Sequence, residues 1–221
     1  MPNPEFLPYS FQELSIEDMK LRAASFREEM QRRRSIRFFA DRTVPKEVIV
    51  ECLRTAGTAP SGANLQPWHF VAISDPDLKF RIRQEAEKEE REFYRKRATS
   101  QWLSDLSALG TNEEKAFLDS APYLIAVFSQ TYRLLPDGKK VKNYYVTESV
   151  GIATGFLVTA VHHAGLACLT HTPSPMGFLG KILNRPLNEK PYLILVVGYP
   201  AEDAVVPQIG RKPLEEISTF L

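Results

Sequence analysis

Arg32-Arg33-Arg34-Ser35-Ile36-Arg37 sets four arginines within six residues, at the point where a helical pattern runs out. The chain as a whole is close to neutral, with 28 Lys and Arg against 27 Asp and Glu and a formal net charge of +1. The run is therefore a local positive site and not part of a basic face. Arginine offers planar, always-charged forks of N–H donors that match a phosphate or a carboxylate. Ser35 adds a short hydroxyl donor, and in an extended segment Ser35 and Arg37 share one face. The residues themselves suggest a phosphate clamp. The competing reading is a solvated helix end, where cations suit the C-terminal end of the helix dipole.

Outward from this run, the pattern gives elements of both kinds. Before it, Ser15 with Asp18 signals a helix cap. The helix runs to about Arg33 with Met19, Ala23, Phe26 and Met30 on one apolar stripe. After it, residues 36–39 read as extended, and Pro45 opens a second helix with Val48, Ile49, Cys52, Leu53 and Ala56 on its apolar face. Two prolines and a glycine make 59–68 an ordered turn that leads into a strand, Trp68 to Ile73. Asp75-Pro76-Asp77 opens a long charged helix to about Arg97. Residues 98–110 read as a loop exposing Trp102, Leu103 and Leu106, and Thr111 with Glu114 suggests a cap before a short helix to Leu118. Tyr123 to Phe128, Leu166 to Thr170 and Tyr192 to Gly198 read as strands, with a short helix around 176–183. Tyr144 to His163 is apolar nearly all round and reads as the central buried helix, where Gly151 and Gly155 suit the close approach of another helix. A C-terminal extension, 201–221, carries apolar points at Val205, Val206, Leu214, Ile217 and Phe220 that suit packing on a second subunit.

Strands and helices mix without strict βα alternation, and there is no Gly-x-Gly-x-x-Gly, so the fold class expected is α+β. The 221 residues, 43% of them hydrophobic, are expected to form a single domain around one core. Near-neutral charge argues against a nucleic-acid binder, which needs a basic stripe. Cys52 and Cys168 lie in apolar segments without CxxC spacing and read as small core residues in a reducing compartment. No signal-peptide pattern is visible. The weakly charged stretch 149–170 is interrupted by His162 and His163, so neither secretion nor membrane insertion is expected and a cytoplasmic location is.

The arginine run, the turn Pro60-Ser61-Gly62-Ala63-Asn64-Leu65-Gln66-Pro67-Trp68, the late Gly198-Tyr199-Pro200 and Arg211-Lys212-Pro213 occur in this order. Together they resemble the FMN-dependent nitroreductase superfamily from about Met30 onward. The resemblance implies an intertwined α+β homodimer, a mixed sheet flanked by helices, and FMN bound in two sites at the subunit interface. It implies that Arg33, Arg34, Ser35 and Arg37 contact the phosphate and ribityl chain. Pro60, Ser61 and Gly62 would lie over the flavin from the other subunit, and Arg211 would be a late phosphate contact. A dianionic phosphate in a partly dry interface needs several fixed positive donors, each charged hydrogen bond contributing ~1.5–3 kcal/mol.

Glu90 and Tyr94 are spaced i, i+4 on the long helix and so share a face. With Trp102 and Lys115 they resemble the substrate lid of the iodotyrosine deiodinase branch, here around 77–118. That likeness implies a halotyrosine zwitterion, with Lys115 on the carboxylate, Glu90 on the ammonium and Tyr94 adding a hydrogen bond. The Ala63 backbone N–H would help hold the phenolate oxygen. On charge pattern alone, Glu90 and Lys115 read as solvated surface. Thr170-His171-Thr172-Pro173 resembles the segment in which the last threonine approaches flavin N5, which implies one-electron steps with Thr172 as the catalytic hydroxyl and Thr170 as a cofactor contact. The bland alternative is a strand-end threonine satisfying the turn before Pro173. His171 reads as locally packed, with no paired His or Asp to make it a metal ligand. Animal members carry an N-terminal membrane segment absent here, which gives the expectation of either a soluble, bacterial-type chain or one from which that segment has been trimmed.

Three functions remain open on sequence. The first is reductive dehalogenation of halotyrosines, the second a general NAD(P)H-dependent nitroreductase or quinone reductase, and the third non-catalytic flavin or halotyrosine binding. The cellular reductant, whether a small molecule or a reductase, is not named by any motif.

Overall fold

Ser15 caps the first helix as its spacing predicts: its side chain accepts the Asp18 N–H, and helix α1 runs Ile16–Arg32. The computed structural model describes residues 5–221, which divide into two units, 5–33 and 34–221. In the first unit, Arg33 leaves the helix in extended backbone while its N–H still donates to the Met30 carbonyl. No residue of α1 is buried, so the stripe expected to pack does not: Met19 and Phe26 are exposed. The 3.6-residue pattern is present, but this unit supplies no second layer to cover it.

The second unit is built on a four-stranded sheet ordered β1-β2-β6-β5. Its strands are β1, Trp68–Ile73, β2, Tyr123–Gln130, β5, Ala167–His171, and β6, Glu189–Gly198. A two-stranded ribbon of β3, Tyr132–Leu134, and β4, Lys140–Lys142, lies apart from it. Neighbouring strands of the main sheet run antiparallel. Ser35 adds a parallel bridge to Cys168, with the Ile36 N–H donating to the Cys168 carbonyl at 3.2 Å. Ser35 and Ile36 are thereby laid along the β5 edge, and the sheet becomes mixed there.

Successive strand residues point to opposite faces, and each face has its own helices. Leu124, Ala126, Phe128, Leu169, Ile194 and Val196 face one cluster. It is completed by α3, Pro76–Glu92, α5, Phe117–Ser120, and α7, Gly177–Ile182. Ile125, Val127, Cys168, Leu193, Leu195 and Val197 face the other. That face is covered by α2, Lys46–Gly57, and α6, Val146–His163. Cys52 and Cys168 are buried and not joined in a disulfide, and burial pushes the Cys52 thiol pKa up.

Two sequence expectations need correction in this unit. Residues 98–110 contain a helix, α4, Ser100–Ser107, capped by the Thr99 side chain accepting from the Trp102 N–H. Its eight residues are rich in Ser, Asp and Gln, so no apolar period declares it. Helix α6 is buried on one face only, through Ser149, Val150, Ala153, Thr154, Leu157 and Val161. Ile152 and Phe156 on its other face are exposed. Among the described residues, no helix is long and apolar enough to cross a membrane.

Candidate active site

A cleft of about 430 Å³ lies where the end of β5 meets the far end of α3. Its floor is Leu169, Thr170, His171 and Thr172, with Arg37 beside them. Its wall is Glu90, Phe93, Tyr94, Trp102, Leu106, Thr111, Lys115 and Phe117. That volume and aromatic lining with a few polar groups are ordinary for a small-molecule site.

Local structure explains how each side chain arrives. Asp75 accepts the Leu78 N–H and starts α3, with Pro76 in its first turn. At its end the helix loosens into a π-helical turn, Phe93–Arg97. This turn carries Phe93 and Tyr94 into the wall, where the Phe93 ring meets Trp102 edge-on at 4.8 Å between centroids. Trp102 and Leu106, spaced i, i+4 on α4, present one face to the cleft, although Trp102 is still 53% exposed.

Glu90, Tyr94 and Lys115 are brought together. The Lys115 Nζ lies 3.1 Å from Glu90 Oε2, with side-chain exposures of only 3% and 13%. The same ammonium donates to Thr111 Oγ1 at 3.3 Å and to the Asn112 carbonyl. It stands 5.5 Å above the Tyr94 ring. The Tyr94 hydroxyl donates to the Thr111 carbonyl at 3.2 Å. Burial pulls the Lys115 pKa below its ordinary value, against Glu90, which pulls it up. Burial also raises the Tyr94 pKa and lowers that of Arg37. The cleft wall thus carries a buried pair of opposite charges.

Thr111 does not cap a helix, as its spacing with Glu114 suggested. Asn112 Oδ1 accepts the Glu114 N–H instead, at 3.0 Å, which leaves the Thr111 hydroxyl and carbonyl for Lys115 and Tyr94. Thr111, Phe93 and Phe117 were not foreseen as site residues. For Phe93 the only signal was its place beside Tyr94.

His171 follows the strand alternation inward, while Thr170 and Thr172 point out. It is 8% exposed and meets the Phe117 ring edge-on at 5.4 Å, which is the local packing expected. Its Nε2 is buried without a hydrogen-bond partner. Burial, then the cations Lys115 and Arg37, lower its pKa from 6.5 to about 3. Between those two values the unfolded chain binds one more proton than the folded one, so stability rises with pH. The contribution is complete above about pH 6.5 and falls by roughly 1.4 kcal/mol per pH unit below it. We expect melting temperature to drop on acidification from pH 6.5 to 4, and the slope to flatten in His171→Leu. Equal slopes in the two proteins would contradict this.

The other expected residues are placed as follows. Arg34 is half-buried, and its Nη2 donates to the Pro207 carbonyl, tying the run to the C-terminal stretch. Ser35 is bridged to β5. Arg33 belongs to the first unit, where it closes α1. Arg211 is exposed and outside the cleft lining. Pro60, Ser61, Gly62 and Ala63 do not line the cleft either. They form a turn against the start of α6, with the Gly62 N–H donating to Ser149 Oγ at 3.3 Å. A Cβ on Gly62 would come within 2.7 Å of the Tyr145 ring, and Ala63 takes φ 48°. The turn is thus closely packed against the start of α6.

A flavin mononucleotide fits the donor set on the floor. Arg37, Thr170 and Thr172 supply one cationic and two hydroxyl donors beside aromatic walls. Arg34 and Ser35 continue that edge.

The family model described as the nitroreductase family matches residues 30–199. A protein named iodotyrosine deiodinase from Haliscomenobacter hydrossis is 55% identical, over 95% of this chain and 94% of its own length. One of the same name from Danio rerio is 48% identical, over 99% of this chain and 75% of its own. A crystal structure of oxidised iodotyrosine deiodinase bound to FMN and 3-iodo-L-tyrosine superposes with a TM-score of 0.74 at 31% identity, covering 88% of this chain and 100% of that one.

Proposed function

The chain belongs to the nitroreductase family and, within it, to the iodotyrosine deiodinases, and we propose that it uses FMN to convert halotyrosines, 3-iodo-L-tyrosine among them, to tyrosine and halide. The observation that carries the substrate class is the buried Lys115–Glu90 pair beside Tyr94 on the cleft wall. An amino acid holds its carboxylate and ammonium one carbon apart, and this pair offers one charge of each sign at contact distance.

Each group in the chain has a defined task in this reading. Lys115 takes the carboxylate, Glu90 the ammonium, and Tyr94 adds a hydrogen bond once it turns from the Thr111 carbonyl. Phe93 and Trp102 cover the substrate and exclude water, so the charged contacts strengthen. Arg34, Ser35 and Arg37 hold the anionic parts of the cofactor, and Arg211 adds to the phosphate contacts. Thr170 is a cofactor contact, and the Thr172 hydroxyl is assigned the hydrogen bond to flavin N5. When bound, the cofactor supplies the redox chemistry, electrons delivered singly that let a proton replace the halogen. A second copy of the chain would bring Pro60, Ser61 and Gly62 over the flavin and the Ala63 N–H to the phenolate oxygen. The exposed Ile152 and Phe156 face of α6 supports such a homodimer. The electron donor is a separate partner.

Release of iodide from 3-iodo-L-tyrosine by the reduced, FMN-loaded protein tests the reading. Stoichiometric iodide and tyrosine are expected. Fast reduction of nitroaromatics with no iodide released would favour a general nitroreductase instead.

A further inference from the structure

Lys115 sits on a segment without regular structure, yet the proposed zwitterion site needs its ammonium at a fixed distance from Glu90. Helix α3 supplies that constraint twice. Glu90 meets the Lys115 side chain, and Glu87, one turn earlier on the same face, accepts the Lys115 backbone N–H at 2.9 Å. Glu87 is itself held. Arg83 Nε donates to its Oε1 at 2.7 Å, and Arg91 Nη1 stands 4.0 Å from its Oε2. Arg83 Nη1 reaches on to Asp119 Oδ2 at 2.7 Å, four residues beyond Lys115. One turn earlier again, the buried Lys79 Nζ donates to the Asp119 carbonyl at 3.0 Å and the Ala121 carbonyl at 2.8 Å.

These contacts form one polar stripe along α3, at 79, 83, 87 and 90, that grips the segment 115–121 from end to end. Burial alone would raise the Glu87 pKa. The Lys115 N–H and the Arg83 side chain outweigh it and hold the carboxyl below its ordinary range, so Glu87 is a charged acceptor at neutral pH. Its side chain is largely buried and lines no part of the cleft, so it has no direct access to a ligand.

We infer that Glu87, braced by Arg83, is a positioning residue that fixes the Lys115 backbone and thereby sets the Lys115–Glu90 spacing that selects an α-amino acid. This rests on the proposed halotyrosine site and deepens it. The stripe's other three residues have visible tasks without Glu87: Lys79 and Arg83 fasten α5, and Glu90 meets the ligand. Glu87 alone joins the fastening to the ligand-binding lysine.

The test is flavin-fluorescence titration of FMN-loaded protein with 3-iodo-L-tyrosine and, separately, 2-iodophenol, which has the ring and halogen but no zwitterion. Glu87→Ala should raise the Kd for iodotyrosine roughly tenfold, the equivalent of one charged hydrogen bond, and leave FMN and any iodophenol affinity unchanged. Glu87→Gln keeps a carbonyl acceptor for the Lys115 N–H and should recover most of the loss. If Glu87→Ala yields no folded flavoprotein, Glu87→Asp carries the same test, because it keeps the charge but draws the carboxylate one carbon back from the Lys115 N–H. Unchanged iodotyrosine affinity, or equal loss of FMN and both ligands, would overturn the positioning role. A wild-type protein that fails to prefer iodotyrosine over iodophenol would instead overturn the site reading beneath it.

Discussion

Replacing Lys115 with methionine is expected to remove most of the affinity for 3-iodo-L-tyrosine while FMN stays bound. Methionine keeps the apolar stem and deletes the ammonium. The ligand carboxylate loses its charge-assisted partner, and Glu90, 13% exposed at its side chain, loses the cation beside it. Removing one partner of a buried hydrogen-bonded charge pair costs about 2–5 kcal/mol. At about 1.4 kcal/mol per tenfold, Kd rises roughly 30-fold at the least. Isothermal titration of the FMN-loaded variant measures it. A rise below threefold would mean that Lys115 belongs to the lid's own structure and not to ligand recognition. FMN affinity is the internal control, since the Lys115 ammonium is held by Glu90, Thr111 and Asn112 and the cofactor contacts are assigned to other residues.

The largest loss of stability is expected from Leu195→Ala. Strand β6 lies between β2 and β5, and Leu195 is fully buried at its centre, opposite Ile125 on one side and Thr170 on the other. Truncation leaves a cavity in a sheet closed on both faces, and such changes cost about 2–5 kcal/mol. For a chain of this size each kcal/mol lowers the melting temperature by roughly 2–4 °C, so a fall of about 5–15 °C is expected in thermal scans. A fall under about 2 °C would show that the face between α2, α6 and the sheet collapses to refill the space. Because Leu195 backs the strand position of Thr170, the variant should also hold FMN more weakly.

What could be read without coordinates follows from how locally each feature is encoded. Strand β1 was legible from Trp68 to Ile73 because β-forming residues are bounded by Pro67 and by Asp75-Pro76. Helix α2 was legible because Ile49, Cys52 and Ala56 keep one period between Pro45 and Gly57. Helix α1 shows the limit of periodicity: Met19 and Phe26 mark an apolar stripe, but a stripe does not say what covers it. Helix α4 was lost because Trp102, Leu103 and Leu106, in a stretch of eight otherwise polar residues, are too few to set a helical period apart from a loop. At Thr111 and Asn112 two adjacent residues can each accept a backbone N–H, and only packing decides that Asn112 does so and frees Thr111 for Lys115.

The site divides in the same way. The arginine run suggested an anion-binding role against the rival reading of a solvated helix end, and the bridge from Ser35 to Cys168 lays Ser35 beside the strand that carries Thr170. Glu90 and Lys115 were legible only through family resemblance, because α3 carries Glu85, Glu87, Glu89, Glu90 and Glu92 close together. Nothing local tells which of these turns toward a lysine more than 20 residues away. Glu87 was invisible for that reason, and so was the contact that fixes the Lys115 backbone.

The most direct test of a zwitterion-selecting flavin site is a fluorescence titration of the FMN-loaded wild-type protein with 3-iodo-L-tyrosine and with 2-iodophenol. The account predicts saturable quenching by iodotyrosine and little or none by iodophenol at the same concentrations. Equal responses to the two, or no response to either, would contradict it.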